Sequence, residues 1–294
     1  MTFRLKLGII YKFCRGGGTA DTHASKACDR KIIRVQVPSP AQRLTFGFNS
    51  GNVKLIGMDK KKEIRWSADL AYVVGLITTD GNLSKDGRHI NLVSKDINQL
   101  QNFAKILELK NRISPHRSSS KITNSYHIQF SNVLLYRFLL KIGLTPHKTK
   151  TLGVIKIPSK YFIDFLRGHL DGDGSIFTYQ DQYNTYKGVQ YTNLRIYTSF
   201  ISVSKKHLEW LRINIIKNLQ VKGSFNYDQK DKNHLPIWRI KFSKKESLKL
   251  IKLLYYDRGL PSLERKRLLA QRILDLAAQE KRKVYTKIPY SKDI

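Results

Sequence analysis

The same series of six sequence elements occurs twice in this chain, in the same order. In the first copy, WSADLAYVVGLITTDG reads as a helix, with Ser67 as N-cap and Gly81 just past its end. HINLVS (89–94) reads as a strand and INQLQNFAKIL (97–107) as an amphipathic helix. SYHIQFS (125–131) is another strand and VLLYRFLLKIGL (133–144) another helix. In the second copy, YFIDFLRGHLDGDGS matches the first helix, LRIYTSFISVS (194–204) the strand region and HLEWLRINII (207–216) the next helix. IWRIKFS (237–243) and ESLKLIKLLYYDRGL (246–260) follow, and GLTPHKTKTL (143–152) lines up with GLPSLERKRL (259–268). The offset is about 93 residues and grows to 116, through insertions concentrated around QDQYNTYKGVQYT. Six elements recurring in order predict a duplicated α+β fold of two αββαββα repeats. The expected boundaries are 58–155 for the first repeat and 156–275 for the second.

The flanks differ from the repeats. Residues 1–57 hold only two acids, Asp21 and Asp29, and Gly16–Gly18, Pro38 and Pro40 break any regular element. They read as a basic extension, poorly ordered. RVQVPSP (34–40) can also be back-translated into a nucleotide run resembling the T-arm of a transfer RNA gene, which would make Met58 the true start. Residues 276–294 read as a basic tail; the lysines and arginines of QEKRKVYTK suit phosphates or a free tail.

The chain carries 54 Lys and Arg against 22 Asp and Glu, a formal charge of +32. Such a surface attracts polyanions, nucleic acids above all. Cys14 and Cys28 form neither a zinc motif nor a disulfide framework, which fits a reducing compartment. No apolar run approaches the roughly 18 residues of a membrane span, and LKLGIIYKF is too short and lysine-interrupted for a signal peptide. The expectation is a non-secreted protein with no membrane partner, cytoplasmic, nucleoid-associated or in an organelle.

Each copy's first helix ends in the same chemistry. Gly75 and Thr79 are four residues apart in VVGLITTDG, as are Gly168 and Gly172 in LRGHLDGDG. That spacing puts small residues on one helical face and permits close helix–helix approach. If the repeats meet through these faces, Asp80 and Asp173 come together at the helix ends. Two carboxylates held close repel unless a cation neutralises them, and oxygen ligands suit Mg²⁺. A carboxylate-bound Mg²⁺ on a basic surface fits phosphodiester hydrolysis.

These two stretches, Val73 to Gly81 and Leu166 to Gly174, resemble the paired signature of the LAGLIDADG homing endonucleases in their single-chain, two-repeat form. The resemblance covers about Trp66 to Ile273. It implies pseudo-symmetric halves, each a curved antiparallel sheet with helices on one face, meeting through the signature helices in a monomer. It implies divalent metal at Asp80 and Asp173, with Gly81 and Gly174 beside them as backbone ligands, and double-strand breaks with short 3′ overhangs at a long asymmetric site. A basic residue from each half is implied near the site; matching the repeats gives Lys150 and Lys266. Two departures stand out: Thr78 and Thr79 replace the Asp-Ala typical of the first motif, and Arg167 and His169 flank Gly168 in the second. Thr79 is expected to loosen the helix packing. Asp171 reads as an orienting or helix-terminal residue and His169 as a structural histidine.

Alternate side chains of a strand share one face, and major-groove edges need hydrogen-bonding partners. Asn82, Ser84, Arg88, Asn91 and Gln129 in the first repeat are candidate double-stranded DNA contacts. Ser175, Tyr179, Gln182, Arg195, Tyr197, Arg239 and Lys241 are those of the second, with Gln129 and Lys241 at equivalent strand positions. The same fold and charge also suit an RNA-binding maturase assisting intron splicing, or a catalytically silent DNA-binding protein. Retention of both acids favours cleavage. A C-terminal His-Asn is absent, which argues against an intein.

Overall fold

The computed structural model describes residues 63–118, 121–186, 189–228 and 235–283. The expected extension (1–57) and the tail beyond residue 283 lie outside the described residues.

The first repeat runs α1 (Ala68–Thr79), β1 (Gly81–Leu83), β2 (His89–Ser94), α2 (Ile97–Ile106), β3 (Ser114–Ser118), β4 (Lys121–Ser131), α3 (Val133–Ile142) and a one-turn helix α4 (Lys148–Thr151). After a 3₁₀ turn at Ser159–Tyr161, the second runs α5 (Phe162–Asp171), β5 (Ser175–Tyr186), β6 (Val189–Ser202), α6 (Lys205–Leu219), β7 (Ser224–Asp228), β8 (Ile237–Phe242), α7 (Lys244–Leu254) and α8 (Glu264–Lys283). The sheets are antiparallel, with matching orders β1-β2-β4-β3 and β5-β6-β8-β7. The αββαββα duplication legible in the sequence is the architecture of the protein.

Local chemistry sets the element ends. Ser67 caps α1 by accepting from the Leu70 amide at 3.0 Å, Asn132 caps α3 through the Leu135 amide at 2.9 Å, and Ser204 caps α6 through the His207 amide. Gly143 ends α3 at φ 112°, a conformation that favours glycine. Strand alternation turns Ile90, Leu92, Ile128 and Phe130 inward in one sheet, and Ile196, Phe200, Ile240 and Phe242 in the other. Helix α1 is buried from Leu70 to Thr78 without a break. A helix apolar all round belongs inside a core, and α1 packs there against α5.

Two helices were absent from the sequence reading, the one-turn α4 and the long α8. Helix α8 spans twenty residues and takes in 276–283 of the expected tail. Its buried apolar positions, Ala270, Ile273 and Ala277, follow helical spacing but are few, two of them alanines, among lysines and arginines.

Candidate active site

Helices α1 and α5 cross at two glycines. A Cβ on Gly75 would fall 2.3 Å from the Phe165 carbonyl oxygen, and one on Gly168 would fall 2.1 Å from that of Tyr72. Gly168 and Gly75 thus let the two backbones touch. Further along, the Thr79 hydroxyl occupies the place of a Gly172 Cβ, 1.9 Å from where that atom would stand. Thr79 also donates to the Leu76 carbonyl at 3.0 Å. The expected loosening at Thr79 does not occur: the threonine is seated against a glycine, a small–large pairing that fills the interface.

The same crossing carries Asp80 and Asp173 to one place. Asp80 is the C-cap of α1, and its Oδ2 lies 3.1 Å from a Cβ built on Gly172, one residue before Asp173. Asp80 is half-buried and Asp173 exposed. Burial raises the Asp80 carboxyl, and the Asp173 charge pushes it further, to about 7, against the pull of Lys266 and Lys148. The protein packed around its carboxyl likewise raises Asp173, although the residue has an exposed edge, and Lys148 and then Lys266 oppose the shift. Among the described residues, neither carboxylate accepts a hydrogen bond or pairs with a base within 4.0 Å.

A buried lysine backs each acid. Lys148 Nζ donates to the carbonyls of Gly81 at 2.5 Å and Thr79 at 3.3 Å. Lys266 Nζ lies 2.7 Å from the Gly174 carbonyl, 3.1 Å from that of Gly172, 2.9 Å from that of Asp171 and 2.6 Å from that of Leu170. Gly81 and Gly174 are equivalent, as are Thr79 and Gly172, so Lys148 is the structural partner of Lys266. The expectation of Lys150 is corrected. Lys150 is exposed on α4, two residues from the lysine that reaches the site, because the link from α7 to α8 is longer than that from α3 to α4 and the two cannot be matched without a gap. Burial lowers both ammonium groups, Lys266 to about 8; the acids work against that shift, Asp171 most strongly at Lys266.

The expected backbone ligands are engaged by the chain itself. The Gly81 and Gly174 carbonyls accept from the two lysines, and a cation on the same oxygens would face an ammonium. Among the described residues no group of three or more His, Cys, Asp or Glu could hold a metal. The donor set that fits a hard divalent cation is therefore the two carboxylates, mutually repelling and without a hydrogen-bond donor among the described residues. Mg²⁺ characteristically takes one or two carboxylates and completes its shell with water and phosphate.

The motif-two departures serve the fold. Arg167 is fully buried and donates to Asp164 at 2.8 Å and to the Pro261 carbonyl at 3.0 Å, holding the segment before α8. His169 stacks on His207, Nε2 to Nε2 at 3.1 Å, and His207 Nδ1 bonds the Gly153 carbonyl at 2.8 Å. Burial holds both histidines well on the neutral side, His207 at about 4.

The helix-free sheet faces collect the remaining candidates. In the first sheet Asn82, Asn91 and Gln129 form one row across β1, β2 and β4. Asn82 and Gln129 are exposed and Asn91 half-buried. Ser84 is half-buried, its carbonyl bonded by the Tyr136 hydroxyl, and exposed Arg88 sits 3.8 Å from Asp86. The matching row in the second sheet is Ser175, Ser199, Lys241 and Ser224. Its neighbours Tyr179 and Tyr197 stack with ring centres 6.2 Å apart. Lys241 Nζ lies 3.9 Å from the Tyr197 ring centre. Two bases arrive paired: Arg195 with Asp181 at 2.8 Å and Arg239 with Asp228 at 3.2 Å. Gln182 belongs to β5. Asn226, beside Arg239, and Phe177, beside Tyr197, lie on the same face and were missed; period-two counting from Tyr179 would have found Phe177, whereas Asn226 needs the β7–β8 register.

No protein-family profile and no curated protein matches the sequence. Solved structures do match. The meganuclease I-SmaMI bound to uncleavable DNA is 13% identical, with 76% of this chain and 92% of that chain covered and a TM-score of 0.51. A double lysine-to-alanine variant of I-SmaMI gives 11%, 75%, 94% and 0.50. The LAGLIDADG meganuclease I-AabMI bound to uncleaved DNA gives 13%, 72%, 91% and 0.49. At such identities the likeness to the two I-SmaMI structures carries the fold. Among the described residues, no helix is long and apolar enough to cross a membrane.

Proposed function

We propose that this chain, whose fold is that of the LAGLIDADG homing endonucleases, is a divalent-metal-dependent endonuclease that cuts double-stranded DNA at a long, asymmetric site. The observation that carries the reading is the site itself: two carboxylates at the crossing of duplicated helices, without a hydrogen-bond donor among the described residues and each backed by a buried lysine, in a chain of formal charge +32. The different side chains of the two sheet rows favour a target whose halves differ. The chain acts as a monomer in this reading, because it supplies both halves.

Asp80 and Asp173 would hold the cation, Mg²⁺ by donor chemistry. The ion would supply an activated water and stabilise the leaving oxygen. The rest is done by the chain. Lys148 and Lys266 fix the backbone turns that aim the two acids, and their charges offset the negative charge gathered there. Asp80, near 7 without metal, must lose its proton before it can ligate, so cation binding and proton release are linked. The sheet rows orient the duplex: Asn82, Asn91 and Gln129 offer donor–acceptor amides of the kind that read adenine, and Lys241 an ammonium of the kind that reads guanine. Arg88, Arg195 and Arg239 supply phosphate contacts that set register.

The test is selection from a randomised duplex library in Mg²⁺. Recovery of one long consensus from the cut ends supports the reading. Selective retention without cutting in Mg²⁺ or Mn²⁺ would make the protein a silent DNA binder, and retention of intron RNA alone would make it a maturase.

A further inference from the structure

Asp171 is the last residue of α5 and is almost wholly buried, yet it is turned away from any role as a cation ligand. Its Oδ2 accepts from the Tyr72 hydroxyl at 3.0 Å and from the Leu263 amide at 2.7 Å. Its Oδ1 accepts from the Tyr255 hydroxyl at 2.9 Å. Tyr72 belongs to α1, Tyr255 follows α7, and Leu263 is the residue before α8. One carboxylate therefore joins four helices: the ends of α5 and α7, the start of α8 and the body of α1. Three residues beyond Leu263, in the first turn of α8, stands Lys266, whose ammonium lies against the four carbonyls of the turn that carries Asp173. A helical residue's direction turns by about 100° for each step of register. Where α8 begins thus decides whether Lys266 reaches that turn at all.

The first repeat does without this clamp. The position equivalent to Asp171 is Thr78, whose hydroxyl bonds within its own helix, to the Val74 carbonyl at 2.7 Å. Lys148 sits on the one-turn helix α4 and meets two carbonyls. The first half holds its lysine with a threonine at this position, so the contacts of Asp171 serve the second half alone.

We infer that Asp171 is a positioning residue: by fixing the start of α8 against α1 and α7, it seats Lys266 under the Asp173 turn and sets the second half of the site independently of the first. The role in cutting rests on the nuclease reading above; the placement of Lys266 does not.

Competitive trace acetylation of the full chain at fixed neutral pH, read by peptide mass spectrometry, measures both. In the natural protein Lys266 and Lys148 are labelled far more slowly than exposed Lys150. Asp171→Asn raises Lys266 labelling roughly tenfold, the change one lost charge-assisted hydrogen bond gives in a local opening equilibrium, and leaves Lys148 unchanged. Tyr255→Phe does the same to a smaller degree and decides the matter if Asp171→Asn does not fold. Thr78→Ala moves neither lysine. Equal rises at Lys266 and Lys148, or none at Lys266, would overturn the inference. On a duplex that the natural protein cuts, Asp171→Asn should slow the same strand as Asp173→Asn and leave nicking of the other strand intact; equal slowing of both strands would contradict the inference. A natural protein that cuts no duplex refutes the nuclease reading, while the labelling still decides the placement of Lys266.

Discussion

Removing the Asp80 charge should make the metal-free protein more stable. In the folded chain the Asp80 carboxyl keeps its proton up to about pH 7, because of burial and then the Asp173 charge. In the unfolded chain it releases the proton near pH 4, about three steps lower, each step amounting to about 1.4 kcal/mol. The folded state therefore holds the extra proton between those values, and stability falls as pH rises through the window. The ceiling of this loss is about 4 kcal/mol; solvent reaching the half-buried group screens the repulsion and brings it to roughly 2 kcal/mol. Asp80→Asn keeps the shape and removes the charge. In chelator at pH 8, urea unfolding followed by tryptophan fluorescence should place the variant about 2 kcal/mol above the natural protein, and at pH 4 the two should coincide. Added Mg²⁺ should stabilise the natural protein at pH 8 and leave the variant unmoved. A variant of equal or lower stability at pH 8, or a gap that ignores pH, would refute the reasoning.

Lys148→Met should abolish cutting of the selected duplex while Lys150→Met keeps it; the opposite result would restore the register read from the sequence. Gly168→Ala puts a methyl 2.1 Å from the Tyr72 carbonyl oxygen, and should lower unfolding free energy by about 3 kcal/mol, where Gly87→Ala, with open space around it but φ +79°, should lower it by about 1 kcal/mol through backbone strain alone. Arg239→Ala should weaken DNA binding for all sequences alike and reduce the slope of log affinity against log salt by about one, whereas Gln129→Ala should relax preference at one base pair and leave the slope intact.

The duplication was legible because its elements are strongly patterned: β2 in HINLVS, α3 in VLLYRFLLKI, and above all the small residues that recur four apart in α1 and α5. Those residues predicted the crossing, and the crossing brought Asp80 and Asp173 together. What the sequence hid has physical causes. Helix α8 buries alanines and one isoleucine beneath a run of charge, so neither its length nor its apolar stripe announces itself. Lys148 lies in a one-turn helix whose start, His147, takes a left-handed backbone at φ 53°, a geometry with no periodicity to read. Aligning HKTKTL with LERKRL by lysine spacing then selected Lys150, two residues away. Asp171 looked like a helix terminus from one end only; its partners Tyr72, Tyr255 and Leu263 lie up to 99 positions away.

The most direct test of the central claim, that the paired helix ends form the catalytic centre, is strand-resolved cleavage of the selected duplex by the natural protein, Asp80→Asn and Asp173→Asn, with binding measured in parallel. The account predicts Mg²⁺-dependent cutting of both strands by the natural protein, and loss of double-strand breaks in each variant with binding to the same duplex kept within a few-fold. Full cutting by either variant would contradict it.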